Sequence, residues 1–260
     1  MESKKRTSID ILFNKLSEKN PKAKVIGFTN KELKIVTQDT QFMNQFDATK
    51  FDSSDLLPES LRQNGYFIVH LGKGKHAFIK GEGYHKFEKI TEIKDIIVSK
   101  GVIDEVGNSE AGAVSFIYNE GIIQNFLGIK DMKVHTARRS KVSFSFKVNS
   151  SKLHADKQQI EIDGIFETKD GMIVTVEAKN VEHADFEIRQ LFCIMRYFDM
   201  LMEKGIVSKN TNLRLIFLIR LRGKEQNLCR LYEYRFTDNE DINSIKFVQA
   251  VQYNITVASK

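Results

Sequence analysis

No segment of this 260-residue chain is apolar for long enough to span a bilayer, a crossing that takes about 20 consecutive apolar residues. Met1–Arg6 is polar and runs into Ser8-Ile9-Asp10, so the opening residues do not read as a secretory leader. There are only two cysteines, Cys193 and Cys229. Both sit in apolar segments and read as small buried hydrophobes, not as a disulfide. No Cys/His cluster has zinc spacing, and no internal repeat or low-complexity tract occurs. Gly72-Lys73-Gly74-Lys75 lacks the spacing and the Ser/Thr of a P-loop and reads as a basic turn between strands. These absences point to a reduced, cytoplasmic protein with no membrane partner. A hydrophobic content of 41% is ample for one or two compact domains.

What is present centres on Gln158–Asn180, QQIEIDGIFETKDGMIVTVEAKN. Two strand-like segments flank Lys169-Asp170-Gly171, which suits a three-residue hairpin loop with Gly171 at the positive-φ position. Side chains alternate between faces along a strand. Ile160 and Ile162 therefore share one face and Glu161 and Asp163 the other. In the second segment Thr175, Glu177 and Lys179 oppose Val174, Val176 and Ala178. This register sets Asp163 across from Glu177 and Glu161 across from Lys179, all pointing one way. Facing Cβ atoms in an antiparallel pair lie roughly 4.5–5.5 Å apart. Two carboxylates at that spacing repel unless a cation lies between them, and a hard divalent ion such as Mg2+ takes one or two carboxylates plus waters and phosphate oxygens. The bland alternative is a solvent-facing hairpin with a polar side. A slip of one residue would put the acids on opposite faces.

The segment resembles the signature of the PD-(D/E)XK nuclease superfamily, and the chain as a whole is similar to type II restriction endonucleases. Asp163 matches the motif's Asp, Glu177 its second acid and Lys179 its lysine; Ile162 stands where the family often has proline. The resemblance implies an α/β (α+β) mixed sheet with an αβββαβ core. The flanks supply candidates for that order. Ser109–Leu127 has helical spacing, interrupted by Gly112 and Gly121, and Val142–Val148 alternates as a strand. His183–Lys204 is again helical, Leu213–Ile219 is a short apolar run, and Leu228–Phe236 alternates. The resemblance further implies hydrolysis of a DNA phosphodiester with Mg2+ held by Asp163, Glu177 and the carbonyl of Ala178. Lys179 is to orient or help deprotonate the attacking water. The family commonly has an acid on the helix before the motif, here Glu110, which with Ser109 also reads as ordinary helix capping. Gln190 falls where many relatives carry a Gln or basic residue. Ile194 replaces the tyrosine of RecB-like relatives. Glu161 and Gln190 are accessory candidates, and both one and two metals fit.

The chain's net charge is +6, with a pI near 9.1. Lys130–Lys157 holds eight basic residues against two acidic ones, an excess equal to that of the whole chain. Beside the motif, this stretch reads as a surface along which a duplex lies. His135-Thr136-Ala137-Arg138-Arg139-Ser140 reads as a polar loop entering a groove, since Arg pairs bidentately with guanine. Lys133, His135, Arg138, Arg139, Lys141, Lys73 and Lys75 are the DNA-binding candidates, a merely solvated basic loop being the alternative.

Residues 1–104 read as an N-terminal α+β module for DNA recognition, winged-helix-like, and 105–260 as the catalytic domain, with Val102–Asn108 as the boundary. Within the first, Ser8–Ser17 and Ser54–Asn64 read as helices, Pro58 lying in the first turn of the latter, and Tyr66–Leu71 as a strand. Cutting both strands of a symmetric site calls for a homodimer. A repair, junction-resolving or mobile-element nuclease of the same fold, and a non-catalytic DNA-binding regulator, are the competing readings.

Overall fold

The computed structural model describes residues 3–44, 47–99, 109–135, 137–223 and 226–258. The chain begins with α1 (Lys4–Lys19), β1 (Val25–Thr29) and α2 (Asn30–Asp39). A capping box starts α2: the Thr29 side chain accepts from the Glu32 amide, and Glu32 answers on the Thr29 amide. A single 3-10 turn at Ser54–Leu56 precedes α3 (Glu59–Asn64), which Gly65 ends in the left-handed conformation. The helix expected over Ser54–Asn64 is therefore two short pieces, because Pro58 cannot donate to a continuous ladder. The strands β2 (Tyr66–Gly72) and β3 (Lys75–Lys80) close a small antiparallel sheet in the order β1–β3–β2.

The remainder builds on a seven-stranded mixed sheet. The elements in order are β4 (Tyr84–Lys86), β5 (Glu92–Val98), α4 (Glu110–Asn119), α5 (Ile122–Leu127), β6 (Met132–His135), β7 (Arg138–Val148), β8 (Ser151–Ile162), β9 (Gly164–Thr168), β10 (Ile173–Lys179), β11 (Asp185–Glu187), α6 (Arg189–Glu203), β12 (Leu213–Arg222), β13 (Asn227–Phe236) and β14 (Ile245–Val257). The sheet order is β5–β14–β13–β12–β10–β9–β6, with β10 and β12 parallel. β7 and β8 form a separate two-stranded ribbon, and β11 pairs with β4. The fold is thus mixed α/β. The boundary expected at Val102–Asn108 lies outside the described residues. Among the described residues, no helix is long and apolar enough to cross a membrane.

Apolar side chains line both faces of the sheet, as its central strands require. On one face α4 and α5 pack Val114, Ile117 and Ile123 against Phe166, Val174, Val176 and Leu218. On the other, α6, the ribbon and the N-terminal module share one core with Ile165, Leu215, Phe217 and Tyr234. That core is continuous from Ile9 and Phe13 through Phe78, Phe144 and Phe186.

Four sequence expectations need correction here. The helix expected over Ser109–Leu127 is broken into α4 and α5 at Gly121, whose φ of +69° places it in the left-handed region. The helix expected from His183 starts only at Arg189, after β11. The strand Val142–Val148 exists, but it pairs with β8 outside the main sheet, and the short β6 stands beside β9 instead. Most of the supposed groove loop, His135–Ser140, is strand: His135 ends β6 and Arg138 opens β7. Thr136 lies outside the described residues.

The β2–β3 turn docks on the ribbon. Gly72 has φ +78°, and a Cβ there would lie 2.0 Å from the backbone oxygen of Asp156. Left-handed strain and overpacking add, so Gly72→Ala is expected to cost about 2–4 kcal/mol and to lower the melting temperature by roughly 5–10 °C. A calorimetric scan of the two proteins checks this.

Candidate active site

The geometry starts from the β9–β10 turn. Gly171 takes φ +81°, and the Thr168 and Met172 backbones close the loop at 3.0 Å. The turn fixes the ladder Glu167–Ile173, Phe166–Val174, Ile165–Thr175 and Gly164–Val176. The next step of the same register is Asp163 opposite Glu177, as the sequence expects. The ladder itself stops one pair short, because the chain bends at Asp163 between β8 and β9. There the Asp163 carboxylate stands in for a strand partner: its Oδ2 accepts the Ala178 N–H at 2.9 Å.

Val174, Val176 and Ala178 are buried beneath α4, leaving Thr175, Glu177 and Lys179 on the opposite face of β10, where α6 packs. Helix α4 rides close over the bend: a Cβ at Gly164 would meet Val114 at 2.5 Å. This close approach carries Glu110, at the first position of α4, to the site. Lys179 Nζ donates to Glu177 Oε1 at 2.9 Å and to Glu110 Oε1 at 3.2 Å. The three expected catalytic residues and Glu110 thus form one cluster.

Burial sets the protonation of this group. Desolvation pushes Glu177 up from 4.5 to about 7, against the opposing pull of Lys179, with Asp163 adding to the rise. Asp163 is also raised, first by burial and then by Glu110. For Lys179 burial disfavours the charge, but Glu177 and Glu110 outweigh it and its pKa lies above the usual lysine value. Carboxylates that are hard to ionise beside one ammonium are short of positive charge.

The residues present fit a hard divalent cation. Asp163 and Glu177 offer oxygen donors, and among the described residues only the Ala178 amide donates to Asp163. No group of three or more His, Cys, Asp or Glu side chains able to hold a metal occurs among the described residues. Two carboxylates with waters and phosphate oxygens completing the shell is how Mg2+ is commonly held.

Glu161 does not face Lys179. β8 stays paired with β7 to its end, so Glu161 lies opposite Arg139 and pairs with it at 2.7 Å. Alternation predicts faces only along an unbroken strand, and the bend at Asp163 ends that strand. Glu161 still lines the cleft, as does Gln190, whose Nε2 donates to Asp52 Oδ1 at 3.3 Å. Arg189 is held by a two-pronged bond to Glu187 at 2.8 and 2.9 Å.

The cluster forms the floor of a cleft of about 1000 Å3 bounded by the N-terminal module, the ribbon and α6. Lys73, Lys75 and Lys141 line it. Lys133 and His135 sit on β6, His135 within 3.0 Å of Glu167. Arg138 lies over the Tyr197 ring and Arg139 is paired with Glu161. Sequence reasoning missed Asp52, Glu187 and Lys50. Arg189, which reads from the sequence as a solvated or DNA-facing edge, is largely buried on Glu187, and Lys157 lies within the basic stretch already singled out. Asp52 is fixed by its neighbours: the Ser53 hydroxyl and Ser54 amide donate to buried Asp185 at 2.6 and 2.8 Å. No local pattern announces a contact between residues 138 positions apart.

Two family models match the chain. A domain of unknown function (DUF6997) covers residues 79–254, and another domain of unknown function (DUF6996) covers residues 6–78. No curated protein and no solved structure matches.

Proposed function

The chain belongs to the DUF6997 family, and we propose that it is a Mg2+-dependent endonuclease of the PD-(D/E)XK type that cuts double-stranded DNA at specific sites. One observation carries the reading: Asp163, Glu177, Lys179 and Glu110 meet in a single cluster on the order α4–β6–β9–β10–α6–β12. In that order the β6, β9, β10 and β12 strands are neighbours and the last two are parallel. This order supports an αβββαβ core like that of the resemblance, with α5, the β7–β8 ribbon and β11 as additions to it.

Asp163 and Glu177 would hold the metal, with the Ala178 carbonyl as the third protein oxygen. When bound, Mg2+ supplies Lewis-acid polarisation of the scissile phosphate and a lowered pKa for water. Lys179 orients the attacking water and offsets negative charge on the phosphoryl oxygens. Glu110 is a second carboxylate on Lys179 beside Glu177 and helps hold its ammonium in place. The order helix, strand, helix, helix, strand, strand with sheet order β1–β3–β2 supports a winged-helix reading of the N-terminal module and a role for it in binding the duplex. Two strand cuts at a symmetric site call for two such centres, hence a homodimer.

The test is to incubate the protein with a long DNA of known sequence and Mg2+ and to sequence the ends. Ends sharing one short motif are expected. Cutting confined to junctions or flaps would replace site recognition with structure recognition. Intact DNA with Mg2+ and with Mn2+ would overturn the nuclease reading.

A further inference from the structure

The cleft is not uniformly basic. Many of its charges are already spent: Lys179 on Glu177 and Glu110, Arg189 on Glu187, and Lys73 on Asp156 at 2.6 Å. Glu161 is taken by Arg139 and Asp47 by Lys5. Once these pairs are set aside, Lys50, Lys75, Lys141 and Lys157 line the cleft without an ion-pair partner among the described residues. All four are exposed. They come from three places: the segment before the 3-10 turn, the β2–β3 turn and the two strands of the ribbon.

The backbone is bent to put them there. Lys157 has φ +51° and Lys73 φ +48°, two of only four described non-glycine residues in the left-handed region. A side chain in that region is disfavoured, so such residues persist where the surroundings impose them. At Lys157 the cause is visible. The ribbon register shifts between Val142 and Phe144, and the Lys157 amide donates to Ser143 Oγ at 2.9 Å. A bulge re-aims a side chain. Lys73 acts as a strut: its ammonium on Asp156, with Gly72 pressed on the same residue, locks the turn to the bulge. The turn is therefore not a free wing, and Lys75, which opens β3 just after it, lines the same cleft as Lys157.

We propose that Lys50, Lys75, Lys141 and Lys157 form a phosphate track that holds one backbone of duplex DNA across the mouth of the cleft, above the catalytic acids. Arg138 and Arg139, by contrast, are spent on Tyr197 and Glu161 and add little to it. The inference rests on the nuclease reading for the choice of DNA, but its test does not require cleavage. The acids of the catalytic cluster lie at the floor, where the metal would sit, and the unpaired lysines are exposed at the rim, so backbone phosphates are drawn to the mouth and the floor is left for the reacting group.

The test measures binding of a labelled duplex without divalent metal over a series of KCl concentrations. Each phosphate contact contributes a slope of about −0.9 in log K against log salt. The Lys50→Ala/Lys75→Ala and Lys141→Ala/Lys157→Ala proteins should each flatten the slope by about 2, and the fourfold variant by between about 3 and 4. A Lys209→Ala/Lys246→Ala control, outside the cleft, should leave it unchanged. Melting temperatures equal to the parent's are expected for every variant. An unchanged slope in the fourfold variant, or an equal effect in the control, overturns the track. Tighter binding of single-stranded DNA or RNA of the same sequence overturns the duplex as its occupant. A flattened slope in a protein that never cuts DNA keeps the track and sinks the nuclease reading alone.

Discussion

Glu177→Gln and Lys179→Ala are each expected to lose at least about a thousandfold in DNA cleavage, and Glu177→Gln is expected to bind duplex DNA as tightly as the parent or more tightly. Glu177→Gln keeps the shape and the hydrogen bond to Lys179 but removes one carboxylate from the oxygen donors. It also removes negative charge near the phosphate, which is why binding should not weaken. Lys179→Ala removes the cation paired with both Glu177 and Glu110 and leaves a buried carboxylate without its counter-charge. That loss costs stability as well, up to about 3–5 kcal/mol for a buried pair, so the glutamine variant is the cleaner of the two. Single-turnover cleavage rates and gel-shift affinities, measured on the same preparations, separate the effects. Cleavage within tenfold of the parent in both variants would remove these residues from the chemistry.

In a chelator, raising the pH from 4.5 to 7 is expected to destabilise the protein, and Mg2+ is expected to restore what is lost. The sign follows from Glu177. Its pKa rises from 4.5 in the unfolded chain to about 7 in the native state because burial disfavours the charged form. The native state therefore holds the proton more tightly, so the stabilisation is complete below pH 4.5 and is lost as pH climbs through 7. At 1.36 kcal/mol per pH unit the change is on the order of 3 kcal/mol, or roughly 6–12 °C in melting temperature. Asp163, also raised, acts in the same direction. Lys179 keeps its charge throughout this window and contributes no slope. A bound divalent ion favours the ionised carboxylates, so stabilisation by Mg2+ should grow as pH rises toward 7. A melting temperature flat between pH 4.5 and 7 without metal would contradict the burial argument.

The part of the site legible in the sequence is the part fixed by one turn. Lys169-Asp170-Gly171 determines the register, and the register brings Asp163 to Glu177. Lys179 follows because it is two residues further along the same strand. Glu110 was legible too, since it opens a helix whose start is marked by Ser109. Parity failed where the chain bends: Glu161 alternates correctly within β8 but belongs to the ribbon. The alternation of VSFSFKV describes a half-buried strand equally well in a sheet or in a ribbon, so it could not show which partner it takes. β6, only four residues long at the sheet edge with Lys133, Val134 and His135 exposed, has too weak a pattern to be singled out. Asp52 and Lys50 enter the cleft through long-range packing, which leaves no local trace.

The continuous core and the Asp185 contacts to Ser53 and Ser54 bear on inheritance. The two matched family segments meet between residues 78 and 79, inside β3. A recombination event at that seam would divide a hydrogen-bonded strand. It would also leave the second segment without Asp52 and without one wall of its cleft. The halves are therefore poor candidates for shuffling onto other partners, and descendants that keep one are expected to keep the other.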